Sequence, residues 1–115
     1  MPRMVIQKHS KGDEVHYDLM LESPQTLWTW RFADVPGSLS DQPCERIQDH
    51  DRRFLEYEGE LSPGLGEVAI VEGGTFDLLC TQEDRVHFTA RGRKVVGTCR
   101  LVCVGENAWV LKCER

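Results

Sequence analysis

No apolar run in this 115-residue sequence approaches the roughly 20 residues that a membrane-crossing helix needs. The first residues also lack the apolar centre of a signal peptide, so the expected setting is cytoplasmic, with no membrane partner. An excess of positive charge is missing too. Lys and Arg number 14 against 19 Asp and Glu, and the net charge of −5 argues against broad, sequence-blind binding of nucleic acid. It leaves room for a small local contact, and two short basic groups (Arg91, Arg93 and Lys94; Arg52 and Arg53) read either as solvated turns or as such a contact. There is no Cys-x-x-Cys pair, which argues against a zinc site built from cysteines. The five cysteines, Cys44, Cys80, Cys99, Cys103 and Cys113, are expected to be reduced and to pack as small hydrophobes. No phosphate-loop spacing, nucleophile elbow or Ser-His-Asp pattern occurs, and no segment carries a long helical period, an internal repeat or a linker.

What remains is an ordinary globular composition, 40% hydrophobic and 29% charged, in a length that fits one domain over residues 1–115 and can bury a core without disulfides. β signals dominate. Strands are expected at Met4–Gln7, Val15–Leu21, Leu27–Phe32, Glu67–Val71, Thr75–Leu79, Arg85–Ala90, Lys94–Val104 and Ala108–Cys113. Glu72-Gly73-Gly74 reads as a hairpin turn, and Val35–Pro43 as a surface loop. A turn or two of helix fits near Asp41–Glu45 or Asp51–Glu56. The expected fold is all-β, a sandwich or barrel.

The chemistry concentrates in His16-Tyr17-Asp18-Leu19-Met20-Leu21-Glu22. In a strand, side chains alternate faces, so His16, Asp18, Met20 and Glu22 share one face while Tyr17, Leu19 and Leu21 share the other. His16 and Asp18 can then reach one ion, and His9 can supply a third ligand if the chain folds back. Such a nitrogen–nitrogen–oxygen set leaves coordination positions open and suits a borderline divalent ion: manganese, zinc, iron or cobalt. The plainer alternative is an exposed His16 and a hydrogen-bonding Asp18. Glu22 either orients a ligand or Lys8, or is a surface carboxylate at the strand end. Gln7 and Lys8 flank His9 and should point away from it if extended. His50, after Asp49, reads alone as a loop histidine, and Trp28 and Trp30 share a face either as core or as a stacking platform for bases.

Several pieces, in order and nearly end to end, carry a resemblance. They are Gln7-Lys8-His9, His16-Tyr17-Asp18 with Leu21-Glu22, Leu27-Trp28-Thr29-Trp30, Asp49-His50, Tyr57-Glu58-Gly59, Gly73-Gly74-Thr75-Phe76 and Trp109-Val110-Leu111-Lys112. In these the chain resembles the 3′-phosphoesterase domain found at the N-terminus of bacterial DNA ligase D and as small stand-alone proteins, and its compact form resembles the stand-alone members. The resemblance implies a small closed β-barrel of about eight strands, with at most one or two short helical turns and a site at the barrel's mouth. It implies that His9, His16 and Asp18 bind a divalent metal, most often Mn2+, and that His50 contacts phosphate across the pocket. It implies a metal-dependent hydrolase in DNA repair, acting on DNA or RNA–DNA 3′ ends and working beside separate ligase or polymerase repair proteins.

The chain also departs from that family. Met20 stands where the ligase-linked members carry an arginine, Phe54 where they carry a tyrosine, and Gln42 where they carry a second arginine eight residues before the pocket histidine. Methionine and phenylalanine cannot donate hydrogen bonds to phosphate. Arg46, Arg52 or Arg53 are the candidates to complete the phosphate site from another position, and the spacing from His9 to His16 is one residue longer than in those members. Three functions therefore stand: a 3′-end phosphoesterase with His50 and Arg46 or Arg52 as catalytic groups, a metal-bearing module that binds DNA ends or a repair protein without turnover, and a barrel metalloenzyme acting on a small molecule.

Overall fold

The computed structural model describes residues 1–37 and 40–114. The strands are β1 Arg3–Lys11, β2 Glu14–Glu22, β3 Leu27–Phe32, β4 Asp41–His50, β5 Gly59–Glu60, β6 Glu67–Gln82, β7 Arg85–Arg91, β8 Val96–Cys103 and β9 Ala108–Glu114, with one 3-10 turn at Arg52–Leu55 between β4 and β5. Neighbouring strands pair antiparallel in the order β1-β2-β3-β4-β9-β8-β7-β6, and β6 pairs back onto β1, so eight strands close into a ring. The short β5 adds to the start of β6. The expected all-β barrel is thus formed.

β6 closes the ring and corrects the expected hairpin. Glu72, Gly73 and Gly74 are not a turn; they lie within one 16-residue strand. Its first half pairs with β1 from Glu67 to Thr75, and its second half pairs with β7 from Thr75 to Gln82. Neither Gly73 nor Gly74 has the positive φ that a tight hairpin turn requires. Gly74 serves close approach instead: a Cβ there would lie 2.7 Å from the Arg91 carbonyl oxygen. The buried Glu72 carboxylate accepts backbone N–H bonds from Arg93 (2.7 Å), Lys94 (2.8 Å) and Val95 (3.3 Å), pinning the β7–β8 turn to the bend of β6. That network uses part of one expected basic cluster as backbone.

The stretch after β3 also differs from expectation. Asp41–Glu45 is not helical; it opens the ten-residue β4. The buried Gln42 explains why. Its Nε2 donates to the carbonyls of Asp34 (3.2 Å) and Val35 (2.9 Å), and its Oε1 accepts from Gly37 N–H (2.9 Å), so it closes the preceding loop from inside. Ser38 and Leu39 of the expected Val35–Pro43 loop lie outside the described residues. The other expected helical segment forms as the 3-10 turn, where the Asp51 side chain accepts from Arg53 N–H at 2.9 Å.

Strand alternation produces two apolar clusters. Met4, Ile6, Leu19, Leu21, Trp30, Phe32, Phe76, Phe88, Leu101, Trp109 and Leu111 fill the ring, with Trp28 packed against them. The two β3 tryptophans therefore pack in or against the core. On the other face of β1–β3, Val5, Met20, Leu27 and Leu55 form a smaller cluster, with Phe54 and Ile70 against it. Met20 is fully buried there, beneath the 3-10 turn. The cysteines give one further correction: Cys99 and Cys113 face each other across β8 and β9 and form a disulfide, with Cα atoms 4.1 Å apart. The pairing register, invisible in the sequence, brings them together. Cys44, Cys80 and Cys103 are free thiols, and burial pushes the Cys44 thiol up to about 12.

Candidate metal centre

The β1–β2 hairpin builds the site. Its two-residue turn begins at Gly12, whose φ of 61° is the positive value that such turns demand. The register sets His9 opposite His16 and Gln7 opposite Asp18. All four side chains leave the sheet on the face turned away from Leu19 and Leu21, so the cluster stands on the outer wall near the hairpin end. A site at the barrel's mouth, within the ring, is not what alternation produces here. The longer His9–His16 spacing is absorbed within regular pairing and one tight turn.

The histidine and carboxylate atoms converge. His9 Nδ1 lies 2.8 Å from His16 Nε2, and His16 Nε2 lies 3.8 Å from Asp18 Oδ2. One ligand atom from each residue falls within 4.8 Å of the others. Ligand atoms about 2.0–2.2 Å from one ion sit about 3–4 Å from each other, so the set fits a shared divalent ion. The proton pattern fits as well. His9 Nε2 is 2.7 Å from the Leu65 carbonyl oxygen, which can only accept, so Nε2 carries the proton and Nδ1 accepts from His16 Nε2–H, a proton that an ion held between the two rings would displace. Metal-binding histidines are commonly held in this way by a carbonyl on the far nitrogen. Burial, opposed by the nearby Asp18 carboxylate, holds the His16 imidazole below its ordinary value, which favours the neutral, ligating form.

The remaining sequence candidates divide. Gln7 is buried, and its Nε2 donates to the carbonyls of Phe54 (2.8 Å) and Tyr57 (3.0 Å), clamping the 3-10 segment over β1. Lys8 alternates to the other face and is exposed. Glu22 accepts the Arg3 N–H at 2.8 Å and pairs with Arg52, whose guanidinium also donates to the Pro24 carbonyl at 3.0 Å. That strut lies four residues beyond Asp18 along β2 and, among the described residues, makes no hydrogen bond to the histidines. Arg46 lies over the buried Trp30 ring, 4.4 Å from its centroid, and pairs with Asp49 at 3.5 Å. It therefore sits on the core side of the sheet.

His50 ends β4 and lines a groove of about 440 Å³ with Arg31, Ile47, Gln48, Asp49, Asp51 and Phe54. Its Nδ1 donates to the Gln48 carbonyl at 3.0 Å, and its ring meets Phe54 edge-on at 5.7 Å between centroids. Nε2 is left for the groove. Sequence reasoning did not single out Arg31. Its Nε donates to Asp18 Oδ1 at 3.2 Å, and it faces Asp18 across β2 and β3. The alternation of Leu27–Phe32 could place Arg31 on a polar face, but its partner strand and rung come only from the pairing.

Among the described residues, no helix is long and apolar enough to cross a membrane. No curated protein matches the sequence. The profile of the DNA Ligase D 3′-phosphoesterase domain matches residues 7–103, from the glutamine that clamps the 3-10 turn to the last residue of β8. The chain belongs to the DNA ligase D 3′-phosphoesterase domain family.

Proposed function

We propose that the chain is a divalent-metal-dependent phosphoesterase that removes a phosphate or a ribonucleotide from nucleic-acid 3′ ends in DNA repair. The observation that carries this reading is the convergence of His9 Nδ1, His16 Nε2 and Asp18 Oδ2 beside a groove that holds His50. His9, His16 and Asp18 would hold the metal, with Mn2+ the best fit to family and donor set and Zn2+ or another transition ion the alternative. When bound, the ion supplies Lewis-acid activation of the phosphoryl group and of attacking water. The residues supply the rest. The Leu65 carbonyl keeps the proton on His9 Nε2 and the lone pair on Nδ1. The Gln48 carbonyl holds the proton on His50 Nδ1, so Nε2 is the atom that hydrogen-bonds a phosphoryl oxygen or passes a proton to the leaving oxygen. The Gln7 clamp keeps Phe54, and with it the His50 ring, against the wall that carries the metal ligands.

A second reading has specific support. Met20 is buried, Phe54 has no hydroxyl, Arg46 is held by Trp30 and the groove carboxylate Asp49, and Arg52 is held by Glu22. With fewer phosphate donors, the chain would be a metal-bearing module that binds 3′ ends or a separate ligase or polymerase without turnover. A primer–template bearing a 3′-phosphate or a single 3′-ribonucleotide, incubated with the protein and Mn2+, separates the two. The phosphoesterase reading expects end processing by wild type and none by His16→Ala. Metal binding without processing would favour the module.

A further inference from the structure

We propose that Arg31 is the phosphate-binding arginine of this chain, gripping the substrate anion with its terminal amino groups while its Nε holds Asp18. The inference rests on the metal-site reading above and assigns the anion contact within it. Arg31 stands on the outward face of β3 opposite Asp18, one same-face step from Thr29, which stands opposite Met20, so it is on the same wall as residue 20. Its Nε is committed to Asp18 Oδ1 at 3.2 Å. Among the described residues, no other side chain pairs with its two terminal nitrogens. The side chain is about 39% exposed, open enough to meet a ligand and tethered enough to be pre-oriented. It lines two adjoining depressions, one shared with His16 and the other with His50, and so spans the gap between the metal ligands and the proposed proton donor.

Of the carboxylates near this guanidinium, Glu45 stands opposite Arg31 on β4 and lines the depression shared with His16, and among the described residues it forms no ion pair with Arg31. Asp49 is taken by Arg46 at 3.5 Å and by the Thr26 hydroxyl at 2.9 Å, and Asp51 caps the 3-10 turn. The carboxylates of the His50 groove are therefore engaged elsewhere. The competing arginine is Arg53, which lies over the Phe54 ring, 5.1 Å from its centroid, and lines the depression on the other side of His50. Among the described residues it makes no hydrogen bond or ion pair with Asp18, His9 or His16, though it shares its depression with Leu65, whose carbonyl holds His9. A guanidinium that is anchored by one nitrogen and presents a planar pair of N–H donors matches the geometry of a phosphate.

The test compares binding of two otherwise identical oligonucleotide duplexes, ending in a 3′-phosphate or a 3′-hydroxyl, to wild type, Arg31→Lys, Arg31→Gln and Arg53→Ala in Mn2+. Loss of a charge-assisted phosphate contact costs about 10–100-fold in affinity. The expected result is a wild-type preference for the 3′-phosphate that falls by that factor in Arg31→Gln, falls less in Arg31→Lys and persists in Arg53→Ala. Mn2+ affinity, read separately from free-ion resonance, should change less than the phosphate preference does. A preference unchanged in Arg31→Gln, or absent in wild type, would overturn the assignment; loss in Arg53→Ala alone would move the contact to Arg53. Turnover is scored in parallel. Phosphate preference through Arg31 without turnover would retire the phosphoesterase reading and keep this one, and turnover indifferent to Arg31 would do the reverse.

Discussion

The imidazole of His9 gives its Nε2 proton to the carbonyl oxygen of Leu65, 2.7 Å away and 56 residues along the chain. A loop far off in sequence therefore sets which nitrogen of a candidate metal ligand is free. The latch depends on Gly66, the next residue, whose φ of +85° and tight seat against β1 exclude any side chain: a Cβ would lie 2.1 Å from the Ser10 carbonyl oxygen. Gly66→Ala should lift the loop from β1 and lower Mn2+ affinity by about 10–100-fold, the usual cost of losing a ligand's hydrogen-bonded support. Calorimetric titration with Mn2+ measures it. Unchanged affinity would show that the Leu65 carbonyl does not tune His9.

Removing a ligand should separate metal binding from folding. His9 and His16 are only partly buried, outside both apolar clusters. His9→Ala and His16→Ala are expected to melt within a few degrees of metal-free wild type and to lose the rise in Tm that Mn2+ confers. At an ion concentration of 100 times Kd that rise corresponds to about 2.7 kcal/mol. A thermal scan with and without Mn2+ decides it, and an undiminished metal-induced shift in either variant would remove that residue from the ligand set.

Glu72→Ala should be among the costlier substitutions. It strips three backbone N–H groups of their shared acceptor at the bend that lets β6 bridge β1 and β7. Each buried unsatisfied donor costs about 1–3 kcal/mol; water entering the turn recovers part of it, so a net loss of about 2–4 kcal/mol is expected. Urea unfolding gives the value. A loss under about 1 kcal/mol would mean that the turn holds its shape without the carboxylate.

Thiol chemistry tests the cysteine arrangement. Unreduced, unfolded protein should titrate as three thiols, because Cys99 and Cys113 are bonded to each other. In the native protein at pH 8, Cys44 should alkylate more slowly than its exposure suggests, since burial pushes its thiol up to about 12 and leaves little thiolate. Mass spectrometry after brief iodoacetamide treatment reports both. Five reactive thiols on unfolding without reductant would contradict the disulfide.

Local signals carried much of this structure in the sequence. Leu19 and Leu21 alternate with His16 and Asp18, so the inner and outer faces of β2 were legible, and the spacing of His9, His16 and Asp18 was enough to nominate a ligand set. What was not legible depends on which strands meet. Arg31 acquires a role only because β3 pairs with β2 in a register that sets it opposite Asp18. Cys99 and Cys113 are 14 residues apart and become neighbours only through the β8–β9 register. Gly73 and Gly74 resemble a turn by composition, yet both lie within β6, and the small size of Gly74 serves its passage past β7. Gln42 reads as a surface polar residue until its loop carbonyls are in place around it.

The single rung that pairs His9 with His16 gives the interior of the ring a duty towards chemistry. A slip of one residue in β2 would turn His16 and Asp18 inwards and take Leu19 and Leu21, which are both fully buried, out of the ring. Burying side chains of that kind is worth about 1.5–3 kcal/mol each, so the slipped arrangement is heavily disfavoured before any ion is present. The greasy filling of the ring thus acts as a proofreader for the candidate metal ligands on its outside wall. Substitutions at Leu19 or Leu21 that touch no ligand can still blur which way the ligands face.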